Sequence, residues 1–467
     1  MPSTSEIDRL SPRQREVLEL LAKGLTNEDI AGVLGIATAT VKAHMTALMN
    51  ALDVTNRTEA VSLFLNLNNA LGPAAVDVVM SRPAIAVLPL VPLDDGPRTR
   101  TVGLAVAHDL ANLFSCWCWF PVIASAATDE ARSLGSTQAI GRALGARFLV
   151  DGSLRMNGEA WRLLVRIDDA ETGHTVWTDR YDFAASELFA VQDDVCQRVV
   201  ASAYPVLMSR VQLGGPGRAN EIAPWELAHQ GMQLVARRES SAAITAADRL
   251  SRALETDPLL VLGHYGLGLS AYDDVLNQWT ESGPARDRLI ASASRCIEIA
   301  PHIAEGYFLQ ARWFQTRGEH ARVVPVLETA IARNPSFAPG HALLAQALHL
   351  SGRSEEGLTR MRHALRLGPR AFVAGLALLH FMRCEYDLAL ENAETAASFS
   401  PHYTFARVLA AASAQHIGDR ARALEHARRL ATDYPPFRPG RMLATFGNEV
   451  DAVQRIGEAL VSLGFEH

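Results

Sequence analysis

Few side chains in this 467-residue sequence are spaced to make or break bonds. Asp168, Asp169 and Glu171 form a carboxylate run of the kind that grips a cation or shares a proton. Thr172-Gly173 marks a bend there, and a solvated turn is the better reading. Cys116 and Cys118 have one residue between them, whereas zinc pairs want two to four, so they read as buried thiols. His108-Asp109 lacks a serine or cysteine in a nucleophile's setting. Gly266-Leu267-Gly268 opens like a dinucleotide loop but follows no strand, and helix packing explains it better. No catalytic residue, metal site or cofactor is expected. What remains is recognition chemistry. Lys42 can address a guanine edge, and neighbouring Thr and Ala side chains can pack on a thymine methyl. Lys42 is one of only two lysines among 44 basic residues, the other being Lys23.

Lys42 is positioned by a set of short helices. Ser11-Pro12-Arg13-Gln14 is a helix start, with a capping serine, a proline at the first helical position and a glutamine to close the box. Val17, Leu18 and Leu21 follow as an apolar stripe, and Gly24 ends the helix. Thr26 and Asp29 begin a second, which Gly35 ends. A third runs from about Thr38 with Val41, Leu48 and Leu52 facing inward, and a fourth starts near Asn56. Two short helices joined by a glycine turn can set the second helix in the DNA major groove.

The stretch from Leu10 to Val61 resembles the LuxR-type DNA-binding domain along its full length. The matching residues include Pro12, Arg13, Glu16, Gly24, Asn27, Ile30, Leu34, Val41, Lys42 and Leu52. The resemblance implies that Lys42, Ala43 and Thr46 face base edges. It implies that Thr40 and His44 meet phosphate or bases, that Thr38 and Arg57 belong to the same DNA-binding set, and that the fourth helix dimerises. Two departures stand out. Ala37 replaces the usual capping serine, a loss of about 1 kcal/mol unless Thr38 takes over. Asn50-Ala51 precede Leu52 where the family has a basic residue. Residues 1–69 hold six basic and eight acidic side chains, so binding here cannot come from bulk charge. Duplex DNA bound by a homo-oligomer is the expectation, since paired heads multiply affinity.

Ala70–Pro83 and Val211–Pro224 read as linkers. They divide the chain into a head (1–69), a middle (83–210) and a C-terminal part (224–467). The middle alternates strands and helices. Strands are expected over Ile85–Leu90, Phe120–Ala124, Arg147–Leu154, Trp161–Asp168 and Thr175–Tyr181. Helices are expected over Gly103–Ser115, Thr137–Leu144 and Ser186–Ala203, with hairpin turns at Asn157-Gly158 and Thr172-Gly173. A mixed sheet covered by helices follows. IAVLPL, the AIGRALGARFLVDGSL block and LFAVQDDV resemble the TolB N-terminal-like module, which carries no known catalytic site.

In the last part, proline follows a helix at 258, 301, 335, 369, 401 and 435, at intervals of 43, 34, 34, 32 and 34. Gly318, Gly352 and Gly418 lie midway. Ala311, Ala345 and Ala377 recur in first helices, and Ala330, Ala364 and Ala396 in second helices. A helix-turn-helix period of 34 with small contacts is the tetratricopeptide signature. Six units are expected over about 225–435, irregular near Ser270–Pro284, with a capping helix over Glu449–Leu463. Their concave face would take a protein or peptide.

The fold class expected is therefore multidomain and mainly α. It comprises a four-helix helix-turn-helix head, a central α/β mixed-sheet module and a C-terminal α-solenoid of tetratricopeptide-type hairpins. A net charge of −7 excludes a chain that coats nucleic acid by bulk attraction. No apolar run spans a membrane, the N-terminus lacks a signal peptide, and five sparse cysteines suit the cytoplasm. A DNA-binding transcription regulator whose other domains sense a signal or assemble with partners is the first expectation. A protein-interaction scaffold with a degenerate, non-DNA-binding head is the alternative, and an enzyme the third.

Overall fold

The computed structural model describes residues 83–117, 119–123, 128–158, 160–184, 188–210, 223–277, 279–368, 372–399, 403–433, 443 and 451–465. In the N-terminal segment it describes Val17, Thr40, Val41, Met45, Ala47 and Leu48. The chain forms two compact units, Met1–Arg82 and Pro83–His467. In the first, the six described residues are helical; Val17, Val41, Met45 and Leu48 are buried, and Thr40 and Ala47 are exposed. The expected inward positions Val41 and Leu48 are thus observed, joined by Met45. Leu52 lies outside the described residues.

The second unit begins with a sheet. Its strands are β1 (Ala84–Val87), β2 (Val91–Pro92), β3 (Val122–Ile123), β4 (Ala146–Asn157), β5 (Ala160–Asp169) and β6 (His174–Ala184). They lie in the order β3-β1-β4-β5-β6, with β2 beside β4. β1 runs parallel to β3 and β4, while β4, β5 and β6 form an antiparallel meander. The bends fall at Gly158 (φ 63°) and Gly173 (φ 74°), where the sequence places them. Alternation along the strands sorts the faces. Ile85, Val87, Phe148 and Val150 point into a large core, and Ala86, Leu88 and Leu149 into a small one under helix Thr137–Leu144. Helix Pro97–Ser115 buries Val102, Val106, Leu110 and Phe114 at four-residue spacing on the large-core side. Helix Leu188–Arg210 buries Val195, Val199, Ala203 and Leu207 there too.

Several boundaries differ from expectation. β1 stops at Val87 and the chain restarts as β2 at Val91, because proline at 89 has no N–H for the ladder. The first helix begins at Pro97 rather than Gly103, since Pro97 itself sits in the first turn. The last helix of the module continues past Ala203, through Pro205, to Arg210. The carboxylate run is not a solvated bend. Asp168 and Asp169 are buried at the end of β5, where Arg166 lies 3.2 Å from Asp168 and Arg147 lies 3.5 Å from Asp169. Thr175 Oγ1 also donates to Asp168 at 2.6 Å. The ladder carries the two aspartates inward, and arginines from β4 and β5 compensate them. Glu171 alone is exposed.

The remainder is six helical hairpins. They are Pro224–Val235 with Ser240–Thr256, Val261–Asn277 with Ser282–Ile299, Glu305–Thr316 with His320–Arg333, Ala338–Leu350 with Ser354–Leu367, Val373–Met382 with Tyr386–Phe399, and Thr404–His416 with Arg420–Asp433. The expected small residues, Ala311, Ala345, Ala377, Ala330, Ala364 and Ala396, are all buried. Each alanine lets two helices approach closely. The irregular stretch near Ser270 is absorbed by a longer first helix, Val261–Asn277. That helix also accounts for Gly266 and Gly268, whose Cβ atoms would strike Leu250 and Leu309. After three of the prolines a side chain six residues on donates to the proline carbonyl: His264 (2.9 Å), Tyr307 (3.1 Å) and His341 (2.9 Å). Helix Asp451–Ser462 packs against Thr404–His416 and Val373–Met382.

Candidate functional site

The residues expected to contact DNA fall mostly outside the described set: Thr38, Lys42, Ala43, His44, Thr46 and Arg57 all do. Thr40 is placed, helical and exposed. On a helix, 40 and 47 share one face while 41, 45 and 48 share another. The first pair is exposed and the second set buried.

Two further sites lie among the described residues, and sequence reasoning named the side chains of neither. The first is the junction between the sheet module and the hairpins. A single core of buried side chains runs from Ile85 to Leu460. At its centre stand three tryptophans. Trp117 Nε1 donates to Ser336 Oγ (3.1 Å), which donates to Asn334 Oδ1 (2.7 Å). Trp119 Nε1 donates to Glu305 Oε1 (2.9 Å), and Trp225 Nε1 donates to the Trp119 carbonyl (3.0 Å). Tyr204 stacks on Trp117 at 4.3 Å and meets Trp119 edge-on at 4.6 Å. Glu305 is fully buried, and burial pushes its carboxyl up to about 7. The run from Cys116 to Trp119 therefore matters through its indoles. Cys116 is only half-buried, not a core thiol, and Cys118 lies outside the described residues.

The second site lies where the first helices of the hairpins face one another. They line an open-sided cavity of about 420 Å³ whose walls include Tyr265, Tyr272, Phe308 and Tyr403. The Arg312 guanidinium sits 4.6 Å from the Tyr272 ring centre and 5.1 Å from that of Phe308. Its Nη1 donates to Tyr272 Oη (3.0 Å) and Gln315 Oε1 (2.9 Å). Arg238, from the first hairpin, lies 4.3 Å over the ring of Tyr403, which precedes the sixth. The array has thus curved until its ends meet across the cavity. Asp273 is buried in the wall, and burial, opposed by Arg238 and Arg312, raises its carboxyl to about 6.

Arg238 has φ 54°, in the left-handed region. The same turn position in later hairpins is Gly318, Gly352 and Gly418, with φ of 72–83°. Cys384, at φ 62°, is the other exception. Its Sγ receives Arg455 Nη1 at 3.2 Å from the terminal helix, and Arg455 also donates to Tyr386 Oη (2.6 Å). A side chain there costs about 1–3 kcal/mol of backbone strain. Both exceptions make a long-range contact across the hairpin array. The glycine period marks Cys384, which stands 34 residues before Gly418; Arg238 lies 80 residues before Gly318, off that period.

Residues 8–64 match the family described as bacterial regulatory proteins, luxR family. A Rhizobium meliloti protein provisionally named as an adenylate cyclase is 26% identical over 252 residues, 52% of this chain and 42% of that protein. An Escherichia coli protein provisionally named as an HTH-type transcriptional regulator is 45% identical over 64 residues, 14% of this chain and 32% of its own. The transcriptional activator protein CarR of Pectobacterium carotovorum is 40% identical over 67 residues, 14% and 28%. The chain therefore spans less than half the length of each. Among solved structures, a thermophilic TPR protein of Thermus thermophilus is similar over 41% of this chain and 98% of that one, at 20% identity and a TM-score of 0.34. Pseudomonas aeruginosa pilF is similar over 46% and 95%, at 16% identity and 0.31. No helix among the described residues is long and apolar enough to cross a membrane. The N-terminal segment of this chain, residues 8–64, is a luxR-family regulatory domain.

Proposed function

We propose that the protein is a cytoplasmic, DNA-binding transcription regulator that binds duplex DNA as a homo-oligomer. Its sheet module and hairpins form the input end, where a signal or a partner is received. The observation that carries this reading is the luxR-family match over residues 8–64. The exposed face bearing Thr40 supports it. In this reading Lys42, Ala43 and Thr46 address bases, and Thr38, Thr40, His44 and Arg57 position the helix on the backbone. Ala37 and Asn50-Ala51 favour the second reading, a scaffold whose head no longer binds DNA.

A gel-shift titration on a selected palindromic site separates the two. Lys42→Ala is expected to weaken binding by about 1–3 kcal/mol and to blunt selectivity. The isolated head is expected to bind about a hundredfold more weakly than the full chain, because pairing raises effective concentration. Equal affinity of Lys42→Ala and wild type would remove the assigned reading helix. No binding by the full chain would leave the scaffold.

Catalytic turnover has no place in this proposal, although one relative is named for a cyclase. Cyclic nucleotide made by the purified chain would overturn that part.

A further inference from the structure

The cavity inside the hairpin array is framed by two guanidinium groups, one from the first hairpin and one from the third. Arg238 reaches in from the first hairpin and rests on Tyr403. Arg312 stands on Tyr272 and Phe308 in the second and third. Flat aromatic faces make up much of the wall, with Tyr265 and Phe372 beside them. The volume of about 420 Å³ lies within the range of sites for small molecules, about 300–1,000 Å³. A volume of this size suits a small molecule better than a folded partner. Val453 and Ile456 of the terminal helix Asp451–Ser462, with Leu443 before it, line a neighbouring pocket together with Leu343 and Leu378.

The charge balance is specific. Two arginines face a single carboxylate, Asp273, to which no described residue donates a hydrogen bond. Guanidinium groups present forks of donors suited to carboxylate, sulfonate or phosphate, and aromatic faces suit a planar apolar body. Arg238 holds a left-handed backbone conformation that glycine occupies in the third, fourth and sixth hairpins. Folding alone does not ask for arginine at that turn. The chain accepts a strained residue where its side chain is the one that reaches the cavity.

We propose that this cavity is a binding site for a small organic anion with a flat, apolar body, clasped between Arg238 and Arg312. As the signal input of a regulator it rests on the function proposed above; as a binding site it rests on the geometry alone. Arg238 and Arg312 hold the anionic group, the rings of Tyr272, Phe308 and Tyr403 enclose the body, and Asp273 accepts a hydrogen bond from a polar edge of the ligand.

The test uses the full-length chain and the aromatic anion 8-anilinonaphthalene-1-sulfonate, followed by its fluorescence. One saturable site per chain is expected. Indole-3-acetate should displace the probe, while the neutral indole-3-acetamide should not. Arg238→Gly installs the residue used at the equivalent turns, so the helical circular dichroism should be unchanged while affinity for the probe falls about tenfold or more. Asp273→Asn removes the opposing charge and should tighten binding of the probe. Equal displacement by acid and amide, undiminished binding by Arg238→Gly, or the absence of a saturable site would each overturn the proposal. The readout needs no DNA. Failure of Lys42-dependent DNA binding would count against the regulator and leave this site standing.

Discussion

Glu305 is a fully buried carboxyl at the start of its helix, and Trp119 Nε1 donates to its Oε1. Burial raises its titration from 4.5 to about 7, so the folded state holds a proton that the unfolded state releases. Stability contributed by that proton is fully present below pH 4.5. It falls as pH rises from 4.5 to 7, by about 3 kcal/mol in all, and then levels off. Glu305→Gln removes this dependence. Thermal unfolding from pH 5 to 8 should show the variant gaining on wild type as pH rises, with the gap constant above about 7. A gap independent of pH would mean that Glu305 is ionised throughout. At this scale the sequence was least legible. Trp117 and Trp119 stand in a string that draws the eye to its cysteines, and their partners Ser336 and Glu305 are about two hundred residues away. Asp168 and Asp169 were misread for a related reason. A turn signal at Gly173 says where the chain bends, not how far the ladder carries buried charge before it does.

Among the elements, the hairpin turn is the unit that repeats. Gly318, Gly352 and Gly418 sit in left-handed conformations with open space where a Cβ would be. Substitution at Gly352 by alanine therefore meets backbone strain alone, and should cost about 1–2 kcal/mol. Arg238→Gly relieves the same strain and should not lower the melting temperature. Paired thermal melts check both, and destabilisation by Arg238→Gly comparable to that of Gly352→Ala would show that Arg238 is needed for the fold. The hairpins were legible because their signals are local and periodic: a proline, a glycine seventeen residues on, an alanine between. The reading-helix pattern was legible on the same ground at Val41 and Leu48. What no periodicity conveys is closure. Arg238 meets Tyr403 only because many small rotations between hairpins accumulate, and no local spacing encodes their sum.

Across the whole molecule, the sheet module and the hairpins share one core. Helix Leu188–Arg210 adds Asp194, which lies 3.5 Å from Arg366 on the fourth hairpin. Heating residues 83–467 should therefore give a single calorimetric transition whose van't Hoff and calorimetric enthalpies agree. Two resolved transitions would show that the tryptophan junction does not couple its halves. Val211–Pro224 reads as a linker on its glycines and prolines, and residues 211–222 lie outside the described set; composition reports local backbone preference, not what the flanking elements bury together. The continuous core has a bearing on how such a chain can be recombined. A crossover between sheet module and hairpins would strand Trp117, Trp119 and Trp225 without their partners and expose a broad apolar face in both offspring. A crossover at the boundary between residues 82 and 83 leaves that core whole. Residues 83–467 are inherited as one piece, and the segment before them is the part that can be exchanged for another.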